Sequence, residues 1–189
     1  DLYARARGTS AELNGDEALA ADILTHQLDL PARAQHWYAK LPAEDRKQLK
    51  AFVAGMNAYA RKHPDRFSPE KRGLLPIRET DPLAHIYQVI HRFFIADGTI
   101  RAIRKEAGAM TAPVAAPDAV NGSNGYAIAP SRSADGHAML LVNPHLPWSD
   151  HFTWFEAHLK YPGSNAYGVA LVGMPFLGIA FSELGGWTH

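Results

Sequence analysis

The chain has 189 residues, which is enough for one substantial domain, and its 47% hydrophobic content argues against disorder along its whole length. Nineteen basic residues balance nineteen acidic ones, which removes the main reason to expect nucleic-acid binding. The sequence has no cysteine, which excludes disulfides, cysteine zinc sites and a cysteine nucleophile, and no apolar run approaches the roughly 20 residues that span a membrane.

Apolar stripes in the first hundred residues predict helices. Between Pro42 and Pro64, apolar side chains recur every three or four positions, and Pro42 and Pro64 are typical of a helix start and stop. Shorter stripes predict helices over residues 19–28 and 83–94. We expect all three stripes to pack into a core. Their apolar residues are Leu19, Ile23, Leu24, Leu28, Leu49, Phe52, Val53, Met56, Tyr59, Ala60, Leu83, Ile86, Tyr87, Ile90, Phe93 and Phe94.

The second half of the chain has a different composition and a different apolar pattern. Residues 106–121 are rich in Ala, Pro and Gly without an apolar period, which indicates a surface linker or a segment removed by processing. Beyond this segment, short runs separated by turn residues predict sequential antiparallel strands. The runs cover residues 126–129, 138–142, 152–155 and 166–172, and the Asn143-Pro144 pair is assigned to a turn.

The most suggestive serine is Ser123, which follows Gly122 directly. A serine at a chain terminus carries a base in its own α-amine, whose ordinary pKa is about 8. Gly122 would give an unhindered carbonyl for the hydroxyl to attack, which would release that terminus. A nucleophile elbow fits poorly, because Asn121 stands where its first glycine belongs and a strand-like run follows. Most Gly-Ser pairs are loops, so the dipeptide alone leaves both interpretations open.

Several short segments occur in a fixed order from residue 122 onward. They are G-S-N-G-Y-A-I at 122–128, N-P-H-L at 143–146, F-E-A-H-L at 155–159, G-M-P-F at 173–176 and G-W-T-H at 186–189. In this order they resemble the start of the β chain in enzymes of the penicillin acylase family, which are N-terminal-nucleophile hydrolases. Residues 1–104 resemble the family's α chain more weakly. The aculeacin and acyl-homoserine-lactone acylases are the most similar branch.

The resemblance implies an α+β fold, the αββα sandwich of N-terminal-nucleophile hydrolases, of which this chain would be a fragment. It assigns residues 1–105 to the helical α chain, 106–122 to a spacer or processing segment, and 123–189 to the truncated start of the β chain. The chain opens without a methionine and stops just after an apolar stretch, which we also interpret as two cuts inside a larger protein.

The resemblance also implies a reaction and its residues. Cleavage of the Gly122–Ser123 bond would make an α/β heterodimer from one precursor, and Ser123 would then serve as nucleophile, with its α-amine as base, through an acyl-enzyme. His145 matches a histidine that orients the nucleophile; without the resemblance it would be a loop histidine. Four apolar residues are expected to line the acyl pocket: Leu146, Val172, Met174 and Phe176. The family's oxyanion-hole groups fall outside residues 1–189.

Further expectations concern ligands and location. No cofactor is implied, and histidine spacing gives no zinc motif. The resemblance leaves room for calcium, although its ligands cannot be identified in this sequence. The substrate would be an N-acylated small molecule such as an acyl-homoserine lactone, a lipopeptide or a β-lactam. No nucleic acid and no membrane span are expected, and the resemblance implies a periplasmic or secreted enzyme.

Two alternatives stay open at this point. The chain could be a non-catalytic helical and β interaction module, in which residues 121–125 are merely a turn. It could also belong to an acylase relative that processes itself but has lost hydrolysis. Replacement of Ser123 by Ala separates the first alternative from the enzyme, because it would abolish both processing and activity only in the enzyme.

Overall fold

A computed structural model describes residues 1–90, 97–106 and 122–189. The chain divides into two compact units, Asp1–Ala109 and Met110–His189, which are described separately below. The first unit is helical and the second consists of strands, so the mixed α+β composition agrees with the expected fold class. Most of the segment assigned to a spacer, residues 107–121, lies outside the described residues. Within the described part, no helix is long and apolar enough to cross a membrane.

Within the described residues, the helical unit contains α-helices of 4 to 20 residues. Its α-helices are α1 (Leu2–Arg7), α2 (Ala11–Asn14), α3 (Leu19–Gln27), α4 (Leu30–Lys40), α5 (Ala43–Lys62), α6 (Pro69–Gly73), α7 (Asp81–Tyr87) and α8 (Asp97–Glu106). Short 3₁₀ helices cover Asp16–Ala18 and Pro64–Arg66. The three predicted helices are therefore confirmed as α3, α5 and α7, although residues 91–96 of the third stripe lie outside the described residues.

Helix α5 shows why the sequence pattern predicted it well. The helix begins directly after Pro42, carries Glu44 and Asp45 in its first turn, and ends with Arg61 and Lys62. These charges complement the helix dipole, which favours acidic groups at the N-terminus and basic groups at the C-terminus. The boundaries of α5 thus follow from local sequence signals alone.

The core of the helical unit is small and uses only part of the apolar stripes. Its central cluster comprises Ala6, Ala34, Leu49, Leu83 and Ala84, with Tyr38, Leu41 and Ile86 packed against it. The expectation that all three stripes are core is partly wrong. Leu19, Ile23, Tyr59 and Ile90 are exposed, at 48%, 49%, 53% and 43% of their surface. The central cluster thus consists of three alanines and two leucines, and these four side chains lie outside it.

A buried ion pair joins α1 to the start of α7. The Arg7 guanidinium donates to both carboxylate oxygens of Asp81 at 2.9 and 2.5 Å, and the exposed fractions of the two side chains are 11% and 3%. Arg7 also donates to the carbonyl oxygens of Leu74 and Pro76, at 2.8 and 3.2 Å, and Asp81 accepts from the Arg78 N–H. Each charge is therefore surrounded by several hydrogen bonds, as a buried ion pair requires.

The second unit contains two antiparallel sheets. Strands β1 (Gly122–Ile128) and β2 (Met139–His145) form one sheet. Strands β3 (Trp154–Tyr161), β4 (Ser164–Leu171), β5 (Ile179–Ser182) and β6 (Gly186–Trp187) form the other, in sequential order. The prediction of sequential antiparallel strands is confirmed, and β5 and β6 were not predicted. Further 3₁₀ helices cover Pro130–Arg132 and Asp150–Phe152.

Two local expectations in this unit are wrong. Phe152, which was assigned to a strand, is the last residue of a 3₁₀ helix, and β3 begins at Trp154. Asn143 and Pro144, assigned to a turn, lie inside β2, where they pair with Asn124 and Ser123 of β1. Cross-strand pairing with β1 thus overrides the local turn preference of Asn-Pro.

The strands carry much exposed apolar surface. Leu140 and Leu141, whose side chains point to opposite faces of β2, are 40% and 50% exposed.

Strands β4 and β5 approach each other closely at one residue. A Cβ on Gly168 would lie 2.2 Å from the Ile179 carbonyl oxygen, so only glycine fits there.

Candidate functional site

Ser123 lies in β1, directly after the strand's first residue, Gly122. Its hydroxyl donates a hydrogen bond of 2.7 Å to the carbonyl oxygen of Gly122, and its side chain is exposed. In this chain the Ser123 nitrogen is part of the peptide bond to Gly122. The hydroxyl is thus held against the carbonyl group of the peptide bond whose cleavage the sequence predicts, while its own amine is still blocked.

His145 lies at the end of β2, directly opposite Gly122 in the ladder. Its Nδ1 is 3.8 Å from the position that a Cβ on Gly122 would occupy. Ser123 pairs with Pro144 instead. Since paired residues share a face and successive residues alternate, the Ser123 side chain lies on the face opposite to that of His145. In the uncleaved chain, His145 therefore accompanies Gly122, the residue before the predicted nucleophile.

Asn124 is a site residue that the sequence reasoning missed. It shares the face of His145, one diagonal step along the ladder, and its Nδ2 lies 3.2 Å from Nε2 of His145. The contact depends on the register between β1 and β2. A signal was available, because a hairpin register that pairs Gly122 with His145 places positions 124 and 145 on the same face. The prediction of a turn at Asn143-Pro144 concealed that register.

A second G-S-N tripeptide, at residues 163–165, gives an internal comparison. Ser164 opens β4 after a turn in which Gly163 has a φ of 81°, a left-handed conformation that favours glycine. Asn165 also contacts a histidine of the neighbouring strand: its Oδ1 lies 2.7 Å from Nε2 of His158. Its Nδ2 donates to Glu183 at 2.8 Å. The tripeptide alone therefore does not distinguish Ser123 from Ser164.

The predicted pocket residues differ in exposure. Met174 is buried, at 8%, whereas Val172 and Phe176 are 41% and 49% exposed, and Leu146 is half-buried. The backbone N–H of Met174 donates to the Leu171 carbonyl oxygen at 2.9 Å, which fixes the turn after β4. The role of these four residues in an acyl pocket stays a prediction. Among the described residues, no group of three or more His, Asp or Glu side chains is arranged to hold a metal ion.

Comparison with known proteins identifies the family. The sequence profile described as penicillin amidase matches residues 1–189, the whole chain. The chain belongs to the penicillin amidase family. This membership confirms the resemblance that the segments from residue 122 onward indicated, and the match includes residues 1–104, where the resemblance was weaker.

The family members found by similarity are named as acylases. An acyl-homoserine lactone acylase PvdQ of Pseudomonas syringae pv. tomato is 29% identical over 95% of this chain and 26% of its own length. PvdQ of Pseudomonas fluorescens strain Pf-5 is 29% identical over 99% and 26%. Aculeacin-A acylase of Actinoplanes utahensis is 28% identical over 79% and 22%. The chain therefore spans about a quarter of the length of these curated relatives.

Proposed function

We propose that this protein is a self-processing amide hydrolase whose nucleophile, Ser123, becomes a new N-terminus when the Gly122–Ser123 bond is cut. The observation that carries the proposal is the 2.7 Å hydrogen bond from the Ser123 hydroxyl to the Gly122 carbonyl oxygen. It supports cleavage at this bond because it holds the hydroxyl beside the carbonyl group that has to be attacked. Membership of the penicillin amidase family supports the reaction class.

Self-cleavage converts the amide to an ester before water enters. The Ser123 oxygen bonds to the Gly122 carbonyl carbon, the hydroxyl proton passes to the amide nitrogen, and the C–N bond breaks. Water then hydrolyses the ester, which leaves a carboxylate on Gly122 and returns the hydroxyl to Ser123. The products are two chains of one α/β heterodimer, and the second begins with a free amine at Ser123.

The freed amine makes the serine a working nucleophile. An α-amine with an ordinary pKa of about 8 accepts the hydroxyl proton near neutral pH, while the oxygen attacks the substrate amide. The amine of the substrate leaves with a proton, and water hydrolyses the acyl-enzyme. In this proposal His145 orients the nucleophile by helping to hold its new terminus, and the complete enzyme adopts the αββα sandwich of N-terminal-nucleophile hydrolases.

The proposed substrate is an N-acylated small molecule. The relatives are named for acyl-homoserine lactones and for aculeacin A, which supports substrates with an acyl chain on an amide nitrogen. A lipopeptide or a β-lactam side chain contains the same bond. Four residues would contact the acyl chain: Leu146, Val172, Met174 and Phe176. By the same family argument, the enzyme is periplasmic or secreted and needs no cofactor, with calcium as an optional structural ion.

Intact mass spectrometry of the full-length protein tests this proposal. We expect two chains, the second beginning at Ser123, and release of a free amine from an acyl-homoserine lactone. Ser123→Ala should leave one uncleaved chain without hydrolytic activity, because it removes the attacking oxygen. A mature, active enzyme that retains the Gly122–Ser123 bond contradicts the proposal.

Ser164→Ala is the matched control. It removes the same hydroxyl from the same tripeptide in the same unit, so processing and hydrolysis should continue at the rate of the unmodified protein. If neither variant changes the mass pattern and no amide is hydrolysed, the protein is a non-catalytic module. If cleavage occurs at residue 123 without hydrolysis of any N-acyl substrate, the protein is a processed relative that has lost its activity.

A further inference from the structure

The contact between Asn124 and His145 fixes which ring nitrogen faces Gly122. Nε2 of His145 lies 3.2 Å from Nδ2 of Asn124, and Nδ1 lies 3.8 Å from the position of a Cβ on Gly122. The two ring nitrogens therefore face different neighbours. One faces a side chain that stays after cleavage, and the other faces the residue that the cleavage would release.

The chemistry of the amide sets the tautomer of His145. An amide nitrogen is a donor only, so Nε2 acts as the acceptor in this contact. A neutral imidazole has a single proton, which is then on Nδ1. The ring thus presents an N–H donor toward Gly122, whose carbonyl carbon is attacked during the proposed self-cleavage.

We infer that Asn124 is a positioning residue that holds His145 in its Nδ1-protonated tautomer, with Nδ1 turned toward Gly122, during self-cleavage. The inference rests on the proposed function, because it assigns the contact a role in that reaction. Asn124 acts through His145 and does not touch the reacting atoms in this arrangement. Removing its donor lets the ring rotate or place its proton on the other nitrogen.

The Asn165–His158 pair provides a control within the same molecule. There the Asn165 oxygen faces Nε2 of His158 at 2.7 Å, while the Asn165 nitrogen donates to Glu183 at 2.8 Å. The bond to Glu183 fixes the orientation of this amide, so Nε2 of His158 carries the proton. Two Asn–His pairs in one unit are therefore expected to hold opposite tautomers.

Nitrogen-15 NMR of histidine side chains tests the tautomers directly. The experiment uses full-length protein with Ser123→Ala, which keeps the chain uncleaved, at a pH where the rings are neutral. We expect the proton on Nδ1 of His145 and on Nε2 of His158. Asn124→Asp replaces a donor by an acceptor of the same shape, so the His145 proton should move to Nε2. Asn165→Asp keeps an acceptor for Nε2 of His158, although it loses the bond to Glu183, and it should leave the proton of His145 on Nδ1.

The rate of self-cleavage gives the second readout, in protein that retains Ser123. Asn124→Asp should slow cleavage roughly tenfold, the equivalent of one lost hydrogen bond, whereas Asn165→Asp should leave the rate unchanged. An Nε2-protonated His145 beside an intact Asn124 overturns the inference, as does an unchanged cleavage rate in Asn124→Asp. Absence of cleavage in the unmodified protein instead overturns the proposed function, and with it any role of Asn124 in that reaction.

Discussion

At the scale of single residues, sequence reasoning selected the Gly122–Ser123 pair but did not find the contacts that β2 makes beside it. Ser123 and Gly122 are adjacent in sequence, so their hydrogen bond depends on local geometry that a dipeptide reveals. The contact between Asn124 and His145 depends on the pairing of β1 with β2, and the sequence pattern had predicted a turn at two residues of β2, Asn143 and Pro144. Sequence reasoning therefore found the nucleophile candidate and missed the residue that holds its neighbouring histidine.

Tyr3 gives a residue-scale prediction about pH. Burial, and then the nearby Asp81 carboxylate, raises the pKa of Tyr3 above its ordinary value. A raised pKa means that the folded state favours the neutral phenol. This contribution to stability is complete below the unfolded pKa of about 10, and it is lost as the pH rises above that value.

Tyr3→Phe should therefore protect the protein from alkaline unfolding. The free energy of unfolding of the unmodified protein should fall relative to that of the variant by up to about 1.4 kcal/mol per pH unit above about pH 10. Urea denaturation across that range measures the difference. Tyr59→Phe is the control, because it removes the same hydroxyl from a side chain that is 53% exposed. Parallel curves for Tyr3→Phe and the unmodified protein contradict the prediction.

At the scale of elements, prediction succeeded where local signals and tertiary packing agree. Helix α5 has a clear stripe, a proline on each side and charges that complement its dipole, so its boundaries were predictable. Strand β2 continues through Pro144 because it pairs with β1, and β6 (Gly186–Trp187) is too short to leave a pattern. The error at Asn143 and Pro144 thus arose because their structure depends on pairing with a distant segment.

The ion pair between α1 and α7 gives a prediction at this scale. Asp81→Asn leaves the Arg7 guanidinium buried without a counter-charge, so the free energy of unfolding should fall by about 3 to 5 kcal/mol. Urea denaturation of the full-length protein measures the loss. Glu44→Gln breaks an exposed pair with Lys47 and serves as the control with little expected effect. Equal stability losses in the two variants would show that α1 and α7 do not depend on this pair.

At the scale of the whole molecule, the chain matches the penicillin amidase family along its whole length. The penicillin amidase profile covers all 189 residues, although the chain spans only about a quarter of its relatives. The strand unit exposes apolar side chains on both faces of β2. Exposed apolar surfaces of this kind are typical of regions that bind other protein surfaces. Strand propensity predicted the strands, but it could not predict how much of their apolar surface stays exposed.

This exposure leads to a prediction about the processed protein. After cleavage at Ser123, we expect the two chains of the full-length protein to stay together as a heterodimer, because the apolar side chains exposed on β2 offer a surface that other segments of the full-length protein would bind. Native mass spectrometry should give the summed mass of both chains, and denaturing conditions should give each mass alone. Chains that elute separately in native buffer would contradict the expectation.

Pro144, which lies across from Ser123, has a mechanical consequence. The proline ring fixes φ at about −65°, so the backbone of β2 is restricted at the residue that pairs with Ser123. Within the described residues, β2 is the sole sheet neighbour of β1. In the proposed self-cleavage, the peptide unit before Ser123 would therefore lose its planarity beside a strand that itself can rotate little at the paired residue.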